Sequence, residues 1–393
     1  MHNQKPMSRD THIDTIIAAA GTEADDATGA IVPPIHLATT YVKSGSHDFH
    51  YAREANPTRT TFERTLSAVE GGVDAAAFSS GMAACTAIIG SLGAGAHVVY
   101  PDDVYVGQRR LLRGIASRWG VESTAADFTD IDGVAAAVRS DTRLIWIETP
   151  SNPLLRITDL AGVVALARSR GITTVVDNTW ATPVLQRPLA LGADLVVHAV
   201  TKYIGGHSDV LGGVVIARSG DGLFEHVREM QTTAGAVMDP FSAWLTLRGL
   251  RTLSVRMQRA CDNAEQVARL LSGHDRVTRV HYPGLGDNPG HAIAKRQMTR
   301  FGAMLSFELL GDRAEAEAIP RRTRVFVNAT SLGGTESLIE HRASSEGEWS
   351  TSPPTLIRLS IGLENVEDLV GDLTEALNHY SGAAQRSADA VSE

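Results

Sequence analysis

Cysteine is scarce in this sequence: Cys85 and Cys261 are the only two in 393 residues. Two cysteines are too few for a disulfide framework, and neither has Cys or His neighbours at a spacing typical of a metal site. The histidines also lack such a spacing, so we expect them to be structural or surface groups; they include His198, His207, His281, His291 and His341. We therefore predict no bound metal and a reducing, cytoplasmic location.

Positive charge is also in the minority, because 36 Lys and Arg residues stand against 45 Asp and Glu residues. This balance does not favour nucleic acid or an anionic membrane surface as a partner. No segment reaches the roughly 20 apolar residues of a membrane helix, and residues 1–15 lack the apolar core of a signal peptide. A glycine fingerprint for a dinucleotide or a P-loop is missing too, which argues against a nicotinamide-dependent dehydrogenase.

What the sequence does contain is an alternation of strand and helix patterns after residue 60. The predicted strands of this region cover residues 75–80, 97–101, 143–148, 172–177 and 194–200, with helical patterns between them. Alternation on this scale predicts right-handed βαβ crossovers and a mainly parallel sheet. Further strands are predicted at residues 277–282, 302–310, 324–328 and 356–363, after a long helical stretch from about 243 to 272.

These patterns predict an α/β protein with two domains and an arm. Residues 1–60 show no sustained periodicity and are predicted to form an extended arm. We assign residues 61–255 to a large domain with a mainly parallel sheet and residues 256–380 to a smaller α+β domain. Residues 381–393 have the composition of a disordered tail.

The stretch from Asp177 to Gly213 carries the strongest chemical signal. Asp177 ends one nearly all-apolar strand, and Lys202 follows closely on another. Parallel sheets bind ligands at the carboxyl ends of their strands, and Ser80 also falls there. Taken alone, Lys202 is a solvated lysine or, alternatively, a lysine that forms a Schiff base with pyridoxal phosphate. In the second case Asp177 would pair with the pyridine nitrogen.

The sequence of this stretch, DNTWATPVLQRPLALGADLVVHAVTKYIGGHSDVLGG, resembles the signature of the Cys/Met-metabolism family of pyridoxal-phosphate enzymes. The resemblance extends from about Ile31 to about Leu377. It implies the fold type I of PLP-dependent transferases, with pyridoxal 5'-phosphate as cofactor, an amino acid as the small-molecule substrate and Lys202 and Asp177 as catalytic residues. It also implies a homo-oligomer, namely a homotetramer built from two catalytic dimers.

The resemblance implies a set of cofactor contacts. In SSGMAA the backbone amides of Gly81 and Met82 would bind the phosphate, and Thr201 would add a hydroxyl donor. The alternative is that this segment only caps a helix. Tyr105 would stack on the cofactor ring and act as a base, although it could also be a packed core aromatic. Asn152 would contact the ring oxygen or the substrate carboxylate.

One position departs from the family pattern. Members often carry a serine three positions before the lysine, and this sequence has Ala199 there. A hydroxyl donor to the phosphate is therefore missing, which predicts lower cofactor affinity or a water in its place.

Two further motifs concern the neighbouring subunit and the substrate. YAREANPT is similar to the family's Tyr-x-Arg motif, so Tyr51 and Arg53 would contact the phosphate of an adjacent active site; the alternative is a polar surface loop. Arg358 matches the arginine that binds the substrate α-carboxylate, and Ser331 matches a serine whose backbone holds substrate and orients the lysine. Arg110 would contact the distal part of the substrate, or be a solvated helix arginine.

The resemblance leaves the reaction open between β- and γ-chemistry. Thr330 stands where several γ-synthases and γ-lyases carry glutamate, and Gly107 stands where methionine γ-lyases carry cysteine. SLGGTESLIEHRAS is closer to γ-enzymes than to β-lyases. We therefore predict a transsulfuration enzyme that acts at the γ-carbon of a sulfur-containing or O-acylated amino acid, of the cystathionine γ-lyase or γ-synthase type.

Three alternatives remain beside that prediction. One is a C–S lyase of broader range, such as a cystathionine β-lyase or a methionine γ-lyase. Another is an O-acylhomoserine sulfhydrylase, for which the chain is short. The third is a non-catalytic protein that keeps the fold, which the presence of Lys202, Asp177 and Tyr105 disfavours.

Overall fold

The computed structural model describes residues 11–22, 24–25, 27–43 and 47–378. The predicted tail, residues 381–393, and the first ten residues of the predicted arm lie outside the described residues. The strands are β1 (Asp74–Phe78), β2 (His97–Pro101), β3 (Glu122–Ala126), β4 (Thr142–Glu148), β5 (Thr173–Asp177), β6 (Leu195–Ala199), β7 (Gly213–Ala217), β8 (Val277–His281), β9 (Met304–Leu309), β10 (Val327–Asn328), β11 (Leu338–His341) and β12 (Leu356–Ser360).

The α-helices alternate with these strands. They are α1 (Ile13–Ala18), α2 (Pro57–Glu70), α3 (Gly81–Gly90), α4 (Val106–Arg110), α5 (Ile131–Ala137), α6 (Leu160–Ser169), α7 (Thr182–Leu185), α8 (Leu223–Ala234), α9 (Pro240–Leu250), α10 (Leu253–Ser272), α11 (His291–Gln297), α12 (Arg313–Ala318), α13 (Arg342–Glu346) and α14 (Val366–Asn378). A π-helical turn (Leu111–Ile115) and a 3-10 turn (Ala116–Trp119) continue α4, and further 3-10 turns cover Ile319–Arg321 and Gly347–Trp349.

The first seven strands form one mainly parallel sheet in the order β1-β7-β6-β5-β4-β2-β3. The pairs between β3, β2, β4, β5 and β6 are parallel, while β7 runs antiparallel to both β6 and β1. This sheet confirms the predicted α/β class. Because the parallel strands run in one direction, the carboxyl ends of β4, β5 and β6 lie at the same edge.

Helices cover both faces of this sheet. Successive residues of β6 point to opposite faces, so Val196 packs into an apolar cluster with Phe62 of α2, whereas Val197 packs into another with Ile88 of α3. Near-continuous runs of Val and Ile in β4 to β7 are explained by this burial on two sides.

The remaining strands form a five-stranded sheet in the order β10-β11-β12-β9-β8, in which only β10 and β11 are parallel. The long helix α10 packs beside it and against α14. One apolar cluster runs through both regions, since it contains Val196 of the first sheet and Leu305 of the second. The edge of the parallel sheet therefore faces residues of β12 and of the loop before β11.

The structure contains three strands, β3, β7 and β11, that the sequence did not predict, and it differs from the predictions in three further places. The stretch predicted as one helix over 243–272 is broken at Thr252, because the carbonyl of Gly249 accepts hydrogen bonds from Arg256 (2.7 Å) and from the Thr252 hydroxyl (3.1 Å). The arm contains a short helix, α1, that its irregular sequence did not predict. The strand predicted at 324–328 is only two residues long, because the carboxylate of Asp372 accepts the amides of residues 324–326.

Candidate active site

A cavity of about 200 Å³ lies at the carboxyl ends of β4, β5 and β6, between the two sheets. Most of the predicted site residues line it together. They are Gly81, Met82, Tyr105, Asn152, Asp177, Thr201, Lys202, Ser331 and Arg358. Sequence positions as far apart as 81 and 358 thus meet at one place.

Lys202 projects into this cavity from the turn after β6. Its Nζ donates a hydrogen bond to Oγ of Ser331 at 2.9 Å. Burial, followed by the positive charge of Arg358, lowers the pKa of Lys202 to about 8. The amine is therefore neutral more often than an ordinary lysine near neutral pH, and a neutral amine is a nucleophile and a base.

Asp177, at the end of β5, is a half-buried carboxylate that faces the same cavity. It accepts a hydrogen bond from the backbone amide of Thr179 at 3.0 Å, and it forms no salt bridge with another described residue. Burial raises the pKa of Asp177. A protonated pyridine nitrogen in the cavity would supply the missing opposite charge, so this carboxylate fits the ring of pyridoxal phosphate.

The start of α3 fits the phosphate of that cofactor. Ser80 is the N-cap residue, and its Oγ accepts the amide of Ala83 at 3.0 Å. The amides of Gly81 and Met82 belong to the first turn, where no carbonyl of the helix can accept them. A Cβ atom at Gly81 would lie 2.7 Å from Cβ of Ala199, so only glycine allows this helix start to approach β6 so closely.

Thr201 also lines this end of the cavity, at the turn after β6. Its hydroxyl accepts the amide of Gly212 at 3.1 Å and lies 3.3 Å from the carbonyl of the same residue. Sequence analysis missed Thr179, whose hydroxyl accepts the amide of Ala199 at 2.9 Å. Thr179 directly follows the Asp177-Asn178 pair, so its position after a strand end was the available signal.

Arg358 reaches the cavity from β12 of the second sheet. Its guanidinium donates to Oδ1 of Asn152 (3.0 Å), to the carbonyl of Ser331 (3.2 Å) and to the carboxylate of Glu340. Its Cζ lies 5.9 Å from the ring centre of Trp180. Burial lowers the pKa of Arg358 to about 10, and the group remains cationic near neutral pH. A buried guanidinium that faces a lysine can bind a carboxylate.

A second buried arginine, Arg342, lies behind Arg358 and was missed from the sequence. It donates to Glu340 at 2.8 Å and to Glu346 at 2.7 Å. Burial alone would raise the pKa of Glu340, but Arg358 and then Arg342 bring it below its ordinary value. Two arginines and two glutamates therefore form one neutral buried network. Arg342 belongs to the quoted segment SLGGTESLIEHRAS, but no sequence pattern links it to residue 358.

Glu148 is another cavity residue that sequence analysis did not single out. It ends β4 beside Asp177 of β5, and both of its oxygens face the backbone amide of Tyr105, at 3.2 and 3.0 Å. The available signal was its position, because it is a carboxylate at a strand end, as Asp177 is. Burial raises the pKa of Glu148 well above its usual range, and so does the nearby Asp177.

Three predicted site residues lie outside this cavity. Arg110 donates to the carbonyl of Glu346 at 3.1 Å and stacks on Trp349. Tyr51 is exposed, and Arg53 donates to the carbonyl of Thr232 in its own chain. The role of Arg110 toward a substrate and the contacts of Tyr51 and Arg53 with a neighbouring subunit stay predictions.

The histidines make hydrogen bonds within the fold: His198, for example, is buried and lies 2.6 Å from a carboxylate oxygen of Glu70. Within the described ranges, no group of three or more His, Cys, Asp or Glu side chains is arranged to hold a metal ion. Helices of the described part of the chain are also too short or too polar to cross a bilayer.

Comparison with known proteins places this geometry in context. The family model described as "Cys/Met metabolism PLP-dependent enzyme" matches residues 14–378. The cystathionine gamma-synthase of Mycobacterium tuberculosis is 49% identical over 91% of this chain and 95% of its own length. The cystathionine beta-lyase of Coxiella burnetii is 44% identical over 94% of this chain and 99% of its own length.

A solved structure agrees with these relatives. The cystathionine gamma synthase of Xanthomonas oryzae pv. oryzae in complex with cystathionine has a TM-score of 0.90 and 43% identity, and it covers 94% of this chain and 98% of its own. These matches confirm the predicted family, the fold type I class and the prediction of a PLP-dependent transsulfuration enzyme.

Proposed function

The chain belongs to the Cys/Met metabolism family of PLP-dependent enzymes, and we propose that within this family it catalyses γ-replacement, as a cystathionine γ-synthase does. The single observation that carries the proposed chemistry is the meeting of Lys202, Asp177 and Arg358 in one buried cavity. Choice of the γ-carbon is supported by the γ-synthase of Mycobacterium tuberculosis, which is 49% identical to this chain.

The cofactor would be held by residues of the first sheet. Lys202 would hold it covalently through Nζ, Asp177 would pair with its ring nitrogen, and the amides of Gly81 and Met82 would bind its phosphate. Thr201 would add a hydroxyl donor, and Tyr105 would cover the ring. When bound, pyridoxal phosphate supplies an electron-poor ring that accepts the electron pair left by a departing Cα proton.

The substrate would be oriented from the second sheet. Arg358 would bind its α-carboxylate, with Asn152 and Ser331 fixing the guanidinium and the lysine amine. Lys202 Nζ would then take the Cα proton and return it at the end of the reaction, and Tyr105 would serve as a second proton carrier. In the net reaction the Cγ–O bond breaks and the acyl carboxylate leaves with its electron pair. A cysteine thiolate forms the new Cγ–S bond.

A second candidate is β-elimination from cystathionine, the reaction of a cystathionine β-lyase. It is favoured by the relative of that name from Coxiella burnetii, at 44% identity. The same Lys202 and Arg358 would serve this reaction, so the geometry of the described cavity supports both candidates.

Product analysis separates the two candidates. The purified holoenzyme is incubated with O-succinyl- or O-acetyl-L-homoserine and L-cysteine, and in parallel with L-cystathionine alone, followed by mass spectrometry. We expect cystathionine from the first mixture. Pyruvate and homocysteine from the second, without cystathionine in the first, would overturn γ-replacement in favour of β-elimination.

We also propose that the active unit is at least a dimer, assembled into a homotetramer in the cytoplasm. Tyr51 and Arg53 lie outside the cavity of their own chain, which is compatible with contacts to the cavity of a neighbouring subunit. The domain limits at residues 60, 255 and 380 belong to the same proposal.

A further inference from the structure

The carboxyl group of Glu148 accepts a hydrogen bond from the backbone of Tyr105 at the wall of the cavity. Both oxygens lie within hydrogen-bond distance of one amide, at 3.2 and 3.0 Å from the nitrogen of Tyr105. The side chain of Glu148 also lines the cavity, but Glu148 accepts hydrogen bonds from the main chain of the residues that form the cavity wall. The backbone amide of Asn152 is a further donor to it.

Tyr105 depends on this contact because it stands at the N-cap position of a short helix. Its backbone has φ −41° and ψ 129°, and no side chain caps α4, which has only five residues. The Tyr105 amide therefore has no helical partner, and Glu148 supplies the acceptor. Residues before Tyr105 have other anchors, since the amide of Asp102 donates to the carbonyl of Ala126 at 2.9 Å and the side chain of Arg109 donates to the carbonyl of Asp102 at 2.9 Å, but Glu148 is the acceptor for the Tyr105 amide itself.

Glu148 makes this contact without a cation. It is 5% exposed, and among the described residues it forms no salt bridge. Its register partner across the strands is Asp177, so the buried carboxyl group of Glu148 and the half-buried one of Asp177 lie side by side. Two such groups resist ionising together, and Asp177 is the one that faces a cationic ring nitrogen in the proposed function. The oxygens of Glu148 then serve the Tyr105 amide as hydrogen-bond acceptors.

Tyr105 is 41% exposed, and one edge of its ring lies against the start of α4. A Cβ atom at Gly107 would lie 2.4 Å from Cε1 and 3.0 Å from Cζ of Tyr105, and 3.1 Å from Sδ of Met82. The ring therefore packs directly over the backbone of the first turn of α4. A shift of the Tyr105 backbone would carry the phenol away from the cavity.

We propose that Glu148 is a positioning residue for Tyr105, acting through the Tyr105 main chain and without touching the substrate. This inference rests on the proposed function, because it gives Glu148 a catalytic effect only through the phenol of Tyr105. It identifies the carboxyl oxygens of Glu148, and not their charge, as the feature that the reaction requires.

The test is a double-mutant cycle with E148L and Y105F in the holoenzyme. We expect E148L to lower kcat about 30-fold in the presence of Tyr105 and less than about threefold in the Y105F background, because the two changes act through one group. The dissociation constant of pyridoxal phosphate, measured by visible absorbance, provides a second cycle in which Y105A replaces Y105F, because phenylalanine would still cover the cofactor ring. An equal loss in both backgrounds, in kcat and in cofactor affinity, would overturn the proposal.

E148Q is a second variant that keeps the proposal testable if E148L does not fold. Its amide oxygen accepts the Tyr105 amide as the carboxyl does, so we expect kcat within about threefold of wild type and an unchanged pH profile. A 30-fold loss in E148Q would show that charge is required and would reject the inference. The proposed function fails separately, through the product analysis above. If Y105F alone retains the wild-type kcat, only the role of Tyr105 as a proton carrier fails, and coupling is then judged from the cofactor dissociation constants.

Discussion

Lys202 and Ser331 join the two sheets of this protein by a hydrogen bond of 2.9 Å between Nζ and Oγ. Lys202 follows β6 of the parallel sheet, whereas Ser331 lies in the loop before β11 of the other sheet. The contact fixes a flexible side chain at the point where both sheets border the cavity. The sequence resemblance had assigned this role to the backbone of Ser331, but it is the hydroxyl that meets the amine.

The lowered pKa of Lys202 predicts how fast the apoprotein takes up its cofactor at different pH values. Only the neutral amine attacks the aldehyde, and its fraction rises as the pH increases through the folded-state pKa of about 8. We expect the uptake rate to rise about tenfold per pH unit below 8 and to level off above it. Visible absorbance after rapid mixing measures this rate.

The control for this experiment is the reaction of pyridoxal phosphate with free Nα-acetyl-lysine in the same buffers. It corrects for titration of the cofactor itself. A rate that continues to rise until about pH 10, the range of an ordinary lysine, would contradict the predicted shift.

The buried network around Glu340 predicts a large stability loss when Arg342 is removed. In R342M the carboxylate of Glu346 loses its cationic partner at 2.7 Å while it remains 4% exposed. Breaking a buried ion pair from one side typically costs about 3–5 kcal/mol, because the other charge stays buried. Urea unfolding of the apoprotein measures the change.

The matched control is the double variant R342M/E346Q, which removes the charge left behind. The neutral amide can still accept the hydroxyls of Ser350 and Ser352, which bond Glu346 at 2.8 and 2.7 Å. We expect it to recover at least half of the lost stability. If R342M alone costs less than about 1 kcal/mol, as an exposed pair would, the network does not carry buried charge.

A side chain at Gly107 is predicted to displace the ring of Tyr105. In G107A the new Cβ would lie 2.4 Å from the ring of Tyr105, so the ring must move. If Tyr105 acts on the cofactor and substrate, we expect kcat to fall about tenfold or more. G114A is the matched control, because a Cβ at Gly114 meets nothing within 4 Å. Equal activity of the two variants would show that the Tyr105 ring position is unimportant.

Local patterns placed parts of the site at strand ends, and the family resemblance then assigned their roles. Asp177 and Lys202 were found because apolar strands precede them, and both line the cavity. Arg342 could not be found in this way, since its partners Glu340 and Arg358 come together only when β11 and β12 pair. Glu148 lay in a predicted strand, but its importance depends on Tyr105, 43 residues earlier.

The same limit explains the break in the helix predicted over 243–272. Its sequence is helical throughout, and the interruption arises from Arg256, which reaches both the carbonyl of Gly249 and that of Tyr203 at 2.7 Å. Tyr203 follows Lys202 directly, so the same arginine also contacts the turn that carries Lys202. A tertiary contact of this kind overrides local helix propensity and leaves no trace in a periodic pattern.

The proposed contribution of Arg53 to a neighbouring active site predicts complementation between two inactive variants. K202A removes the lysine of its own site, and R53A removes the guanidinium that would serve the adjacent one. In a hybrid of the two, the R53A subunit keeps its lysine and receives Arg53 from its K202A partner, so one site in two is intact. Random pairing would give half hybrids, so we expect about a quarter of wild-type activity from an equal mixture.

If Arg53 instead served its own chain, where it donates to the carbonyl of Thr232, both hybrid sites would be defective. Two differently tagged variants, co-expressed and purified through both tags, distinguish these cases, and the purified hybrid dimers are expected to keep about half of the wild-type activity. An inactive hybrid would show that the arm acts within its own subunit.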